Sequence, residues 1–240
     1  MAPPKAIFFD LDDTLIAAYA RPEAAWDALL PAYADRLGAV EAVSLRRSIL
    51  GIAEGFWGDP EQHRYWRQRI RQARREVVRR ALDALGIGDD DLGDEIADAF
   101  SEHREQNLML YPEVHDRLSE LAARGFRLAL VTNGASDSQW RKIDRFDLRR
   151  HFEQILVEGD FGAGKPEERV YRHLLAEFSL PPESVWMVGD NLEWEVRAPQ
   201  RHGMTGIWCN RLGDPLPADS TVRPDHEIAD LSDLAVLLAD

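Results

Sequence analysis

The 240-residue chain is short of three things, and each shortage closes off a class of protein. It holds one cysteine, Cys209, so no disulfide can form within the chain, and a reducing compartment is the expected setting. No apolar run approaches the ~20 residues that cross a bilayer, and no long apolar segment follows the Met-Ala-Pro-Pro-Lys start. The expectation is a cytoplasmic protein with no membrane partner. Positive charge is also scarce: 29 Lys and Arg stand against 43 Asp and Glu, a formal charge of −14. That balance argues against a nucleic-acid partner, because phosphate backbones are drawn to positive surfaces. A small anionic substrate responds to the local field of a cleft and stays allowed. Among the basic residues only Lys5, Lys142 and Lys165 are lysines, and the arginine excess reads as codon composition rather than function.

What is present begins with residues 7–14, Ile-Phe-Phe-Asp-Leu-Asp-Asp-Thr. Ile7, Phe8 and Phe9 read as a fully buried strand behind Pro3 and Pro4, ending in three acids. A buried carboxylate is costly without compensation, and a divalent cation at the edge of a sheet is the expected partner. From about 21 to 107 the pattern is helical. Ala24, Trp26, Leu29, Leu30 and Tyr33 form one apolar stripe. Trp66, Ile70, Ala73, Val77, Ala81 and Leu85 form a second, closed by Gly86, and a third helix runs from about Asp90 to Asn107.

Beyond Tyr111 helices and strands alternate. Buried strands are expected at 126–131, 154–158, 185–188 and 206–209, with a last short one at 226–228. Helices are expected near 112–125, 136–146, 166–178, 193–202 and 231–238. Such alternation predicts an α/β fold, a doubly wound parallel sheet of Rossmann-like type. The core comprises residues 1–16 and 108–240, with an all-helical cap domain, residues 17–107, inserted after the first strand. The strand ends share a polar character: Thr132-Asn133-Gly134, Lys165 within Gly164-Lys-Pro, and Gly189-Asp190 with Glu195 one helical turn on. In a parallel sheet these positions meet at one edge.

Taken in order, Asp10-Leu11-Asp12-Asp13-Thr14, Thr132-Asn133, Lys165-Pro166 and Gly189-Asp190 with Glu195 resemble the four motifs of the haloacid dehalogenase superfamily, in its phosphatase branch with a helical cap. The resemblance spans nearly the whole chain. It implies a Mg²⁺-dependent hydrolase of a small soluble phosphomonoester working through an aspartyl-phosphate. Asp10 would be nucleophile and metal ligand, and Asp12 the general acid and base, with its backbone carbonyl on the metal. Asp190 would be a further metal ligand and Glu195 a metal-site residue. Thr132 and the Asn133 N–H would hold phosphate oxygens, and Lys165 would offset the charge of nucleophile and phosphoryl group. The chain departs from the family's usual pattern at Glu195, where a second aspartate is common, and at Asp13, where glycine is common.

Asp12 argues against a 2-haloacid dehalogenase, whose leaving halide needs no proton. The absence of any lysine between Lys5 and Lys142 argues against a cap-lysine Schiff base. Two alternatives stay open: a phosphomutase or phosphotransferase of the same superfamily, and a non-catalytic protein that binds a phosphorylated metabolite. A monomer or a homodimer fits the acidic surface. Within the cap, Arg64, Arg67, Arg71, Arg74 and Arg75 read as a solvated face paired with nearby acids. Gly55-Phe56-Trp57-Gly58-Asp59-Pro60 reads as a loop able to line a substrate pocket.

Overall fold

In a computed structural model of the chain, residues 3–18 and 21–238 are described. They form two compact units, Met1–Ala17 with Met109–Asp240, and Ala18–Leu108.

The first unit is built on six parallel strands in the order β5-β4-β1-β6-β7-β8. These are β1 (Ala6–Phe9), β4 (Arg127–Thr132), β5 (Gln154–Val157), β6 (Val185–Gly189), β7 (Thr205–Cys209) and β8 (His226–Ile228). All four residues of β1 are buried, as a central strand covered on both faces requires. Phe8 pairs with Ala129 on one side and Met187 on the other. The chain leaves β1 toward β4 and β5, then returns to build β6, β7 and β8 on the opposite side. This reversal makes the C-terminal end of β1 a topological switch point, where open α/β sheets bind ligands. On one face Ala6, Phe8, Ala129, Val131, Tyr171, Phe178, Val185 and Met187 share a core, with Phe8 and Phe178 edge to face at 5.0 Å. Cys209 is buried in β7, and burial pushes its thiol up to about 12, so it behaves as a small apolar residue.

The second unit is helical. It holds α1 (Pro22–Leu29), the short α2 (Ala34–Leu37), α3 (Ala42–Gly58), α4 (Pro60–Trp66), α5 (Ile70–Ala84) and α6 (Asp90–Gln106). Its core gathers Trp26, Leu45, Ile49, Phe56, Val77, Val78, Leu82, Ile96 and Phe100, with Trp26 stacked on Phe100 at 3.7 Å. Two local expectations are corrected here. The stripe from Trp66 to Leu85 is divided between α4 and α5, with a turn between them closed by Arg69 N–H donating to the Trp66 carbonyl at 2.7 Å. Residues 55–60 are not a loop: α3 runs through Gly58, and Asp59 caps α4 by accepting from the Glu61 and Gln62 N–H groups at 2.9 Å. Phe56 is buried in the helical core because its packing outweighs the weak helix preference of the two glycines. The expected charge pairing holds for Arg71 with Glu105 and Arg75 with Asp98, and Arg79 pairs with Asp94 beside them.

The remaining elements belong to the sheet unit. Two-residue strands β2 (Ile16–Ala17) and β3 (Met109–Leu110) pair antiparallel where the chain leaves and re-enters it, too short to show as a sequence period. Helices α7 (Val114–Ala123), α8 (Ser136–Arg145), α9 (Glu158–Phe161), α10 (Glu168–Phe178), α11 (Ala198–Arg201) and α12 (Leu231–Leu237) complete it. No helix of the described residues is long and apolar enough to cross a membrane.

Candidate active site

Asp10 follows β1, and its N–H donates to the Val188 carbonyl at 2.9 Å, continuing the ladder one step past the strand. The chain then turns sharply. Asp13 takes φ of 58° and its N–H donates to the Ile16 carbonyl at 2.7 Å, which leaves the Asp10 and Asp12 side chains at the strand end.

Lys165 is the centre of the site. It is fully buried, and its Nζ lies 2.5 Å from Asp10 Oδ1 and 2.7 Å from Glu195 Oε1. Burial alone would lower the lysine's pKa, but Asp10 and Glu195 reverse this and hold it above its ordinary value. Burial raises Asp10, Lys165 opposes that rise, and the Asp12 charge adds to it. Glu195 is pushed up to about 7, by burial first, with Lys165 opposing and Asp10 reinforcing. Its other oxygen accepts from the Asn191 N–H at 2.8 Å. Both Glu195 oxygens are thus engaged within the protein, one by Lys165 and one by the Asn191 N–H.

Two local features carry Glu195 to that place. Residues Leu192–Arg197 form a single π-helical turn, a form concentrated at functional sites. Asn191 starts it by accepting from the Glu193 and Trp194 N–H groups, and the Tyr171 hydroxyl donates to the Trp194 carbonyl at 2.6 Å. Gly189 supplies the room: a Cβ there would lie 2.1 Å from Glu195 Cγ and 2.9 Å from Asp10 Cβ. Asp190 directly follows β6. Solvent reaches its side chain, yet surrounding protein desolvates it, and repulsion from Asp10, Glu195 and Asp13 adds to that. Its pKa is held well above the usual carboxylate range. The Trp208 indole N–H donates to its carbonyl at 2.8 Å.

Asn133 is reciprocally bonded to Lys165: its side-chain amide donates to the Lys165 carbonyl, and its oxygen accepts from the Lys165 N–H, both at 2.8 Å. This links the end of β4 to the segment before α10. The Gly134 N–H donates to buried Glu158 at 2.8 Å, fixing the turn after Thr132.

Two residues were not legible as site members. Lys142 Nζ donates to both oxygens of Asp12 at 2.8 Å, and Gln139 Nε2 donates to Asp12 Oδ2 at 3.0 Å. The same Nε2 also lies within hydrogen-bond reach of the Thr132 hydroxyl and the Asn133 carbonyl, so its two N–H groups are shared among three acceptors. Both lie one turn apart on α8, and their three-residue spacing was the only available signal.

Among the described residues no three Asp, Glu, His or Cys side chains converge into a ready cation cage. The donor set still fits a hard cation. Asp10 and Asp190 repel each other, and Mg²⁺ is commonly held by one or two carboxylates with waters retained.

The family model of the haloacid dehalogenase-like hydrolases matches residues 4–203. The chain belongs to this family. A phosphoserine phosphatase of Thermus thermophilus is 33% identical, the match covering 96% of this chain and 97% of that protein. Among solved structures, the HAD-hydrolase YfnB of Bacillus subtilis, bound to magnesium, shares the fold with a TM-score of 0.76. It is 23% identical, with 99% of this chain and 100% of that one covered. A 2-haloacid dehalogenase from Pseudomonas syringae is 30% identical with a TM-score of 0.61, and 98% of each chain is covered.

Proposed function

We propose that the chain is a Mg²⁺-dependent phosphatase of a small soluble phosphomonoester. The observation that carries the reading is the buried Lys165–Asp10 pair beside a second carboxylate, Asp12, that is held by its own ammonium group. The phosphoserine phosphatase relative supports this chemistry.

In this reading an Asp10 carboxylate oxygen attacks phosphorus. The bond from phosphorus to the ester oxygen breaks, and a proton passes from Asp12 to the departing alcohol. Water then attacks the aspartyl-phosphate, Asp12 takes up the water's proton, and inorganic phosphate leaves with Asp10 restored. Thr132 and the Asn133 N–H hold phosphoryl oxygens, and Lys165 offsets negative charge on Asp10 and on the incoming group. Bound at Asp10, Asp190 and the Asp12 carbonyl, Mg²⁺ would supply further charge neutralisation. Glu195 acts one step back by holding Lys165. We read the helical unit, inserted between the strand that leads into Asp10 and the strand that ends in Thr132, as the cap that selects the substrate.

The dehalogenase neighbour raises a second reading, halide displacement from a 2-haloacid. A halide leaves without a proton, so an acid held as Asp12 is held would have no task. The test is release of phosphate from p-nitrophenyl phosphate and from a panel of phosphorylated metabolites, with and without Mg²⁺. Turnover that requires Mg²⁺ and vanishes in Asp10→Asn is expected. Chloride release from 2-chloropropionate with no phosphatase activity would overturn the reading.

A further inference from the structure

The Lys142–Asp12 contact lies outside the four motifs, and the chemistry above leaves Lys142 and Gln139 without a task. Their placement is costly. Gln139 is 2% exposed and Lys142 6%, although α8 is otherwise rich in polar residues. Burying an ammonium and an amide is unfavourable unless both are paired, and both are spent on the first two motifs. Lysine is also scarce in this chain: of three, one is on Asp10 and one on Asp12. Arginine, used nearly everywhere else, presents a planar fork and stacks. Lysine presents a compact point charge with three rotatable donors, which suits a carboxylate approached end-on in a confined space.

The bonds also distinguish Asp12's two oxygens. Among the described residues Oδ2 accepts from both Lys142 and Gln139, while Oδ1 accepts from Lys142 alone. A carboxylate offers about four lone-pair sites, so the remaining acceptor site is on Oδ1. We infer that Lys142 and Gln139 are positioning residues for Asp12, a clamp from α8 that fixes the carboxylate's orientation and makes Oδ1 the oxygen that gives and regains the proton. Gln139 extends the clamp to Thr132 and the Asn133 carbonyl, so the proton carrier and the phosphate grip are held by one amide. The inference rests on the phosphatase reading, in which Asp12 serves the leaving oxygen.

Leaving-group dependence tests it. Phenyl phosphate has a poor leaving group that needs a proton, and 2,4-dinitrophenyl phosphate has a good one that does not. In Asp12→Asn, kcat/KM for phenyl phosphate should fall about 100-fold or more, and for the dinitrophenyl ester less than about 10-fold. Lys142→Met should reproduce that selectivity. Gln139→Ala should reproduce it at about 10-fold, and it decides the matter if Lys142→Met does not fold by circular dichroism. Equal losses for both esters in folded clamp variants, with selective loss in Asp12→Asn, would make the pair merely structural and overturn the inference. Uniform loss in Asp12→Asn itself, or a wild type inactive on both esters, would instead sink the phosphatase reading beneath it.

Discussion

A side chain on Gly189 would collide with Glu195: the added Cβ would fall 2.1 Å from Glu195 Cγ, and Asp10 Cβ is 2.9 Å away on another side. Neither neighbour can yield cheaply, since Glu195 is on Lys165 and Asp10 directly follows a central strand. Gly189→Ala should therefore lower stability by about 1–3 kcal/mol, the usual range for overpacking, and abolish phosphate release. Urea unfolding and a phosphate assay read the two effects. A fully active Ala variant would show that Glu195 need not sit where it does.

Removing the shared cation should be worse. Lys165→Met leaves Asp10 and Glu195 facing each other in a buried site, and truncating one partner of a buried ion pair typically costs about 3–5 kcal/mol. Adding Glu195→Gln to Lys165→Met removes one of the two uncompensated charges and should restore part of that loss without restoring turnover. A double-mutant cycle in urea measures the coupling. Strict additivity would count against the Lys165–Glu195 contact.

The arginines of the helical unit should matter little. Arg75 and Arg79 pair with Asp98 and Asp94 at partly exposed positions. Arg75→Ala and Arg79→Ala should each lower stability only slightly, less in high salt, and leave KM unchanged. A raised KM for the phosphomonoester in either variant would assign that arginine to substrate.

A histidine pair gives a pH signature. His115 Nδ1 and His151 Nε2 are 2.8 Å apart, and burial, then the charges of His115 and Arg150, lower the pKa of His151. The unfolded chain therefore binds this proton at a higher pH than the folded one. The stabilisation is present above the ordinary histidine value, near ~6.5, and is lost as pH falls through the lowered folded value. Between pH 7.5 and 5.5 the wild type should lose more urea resistance than His151→Gln. Parallel pH dependence in the two proteins would contradict the shift.

The sheet edge that carries Asp10, Thr132 and Asp190 was legible because these residues end or follow buried strands. Ile7-Phe8-Phe9 and Leu128-Ala129-Leu130-Val131 read as parallel-sheet strands, and a parallel sheet delivers Asp10 and Thr132 to the same side. Lys142 and Gln139 were not legible. They stand on a helix whose many polar residues look solvated, and which of them is buried depends on how α8 docks on the sheet. The π-turn of Leu192–Arg197 was hidden for a similar reason, since its start at Asn191 is local but the Tyr171 hydroxyl that supports it comes from another helix. In the helical unit Gly55 and Gly58 read as a loop, because the burial of Phe56 that keeps the segment helical comes from tertiary packing.

The distribution of lysine has a practical corollary. Lys142 and Lys165 are shielded, so Lys5 is the one lysine side chain that native protein offers to an amine-selective reagent. Lys5 precedes β1, at the opposite end of that strand from Asp10. A tether, fluorophore or surface coupled through Lys5 would attach behind β1, with the edge of the sheet that carries Asp10 pointing away from the point of attachment.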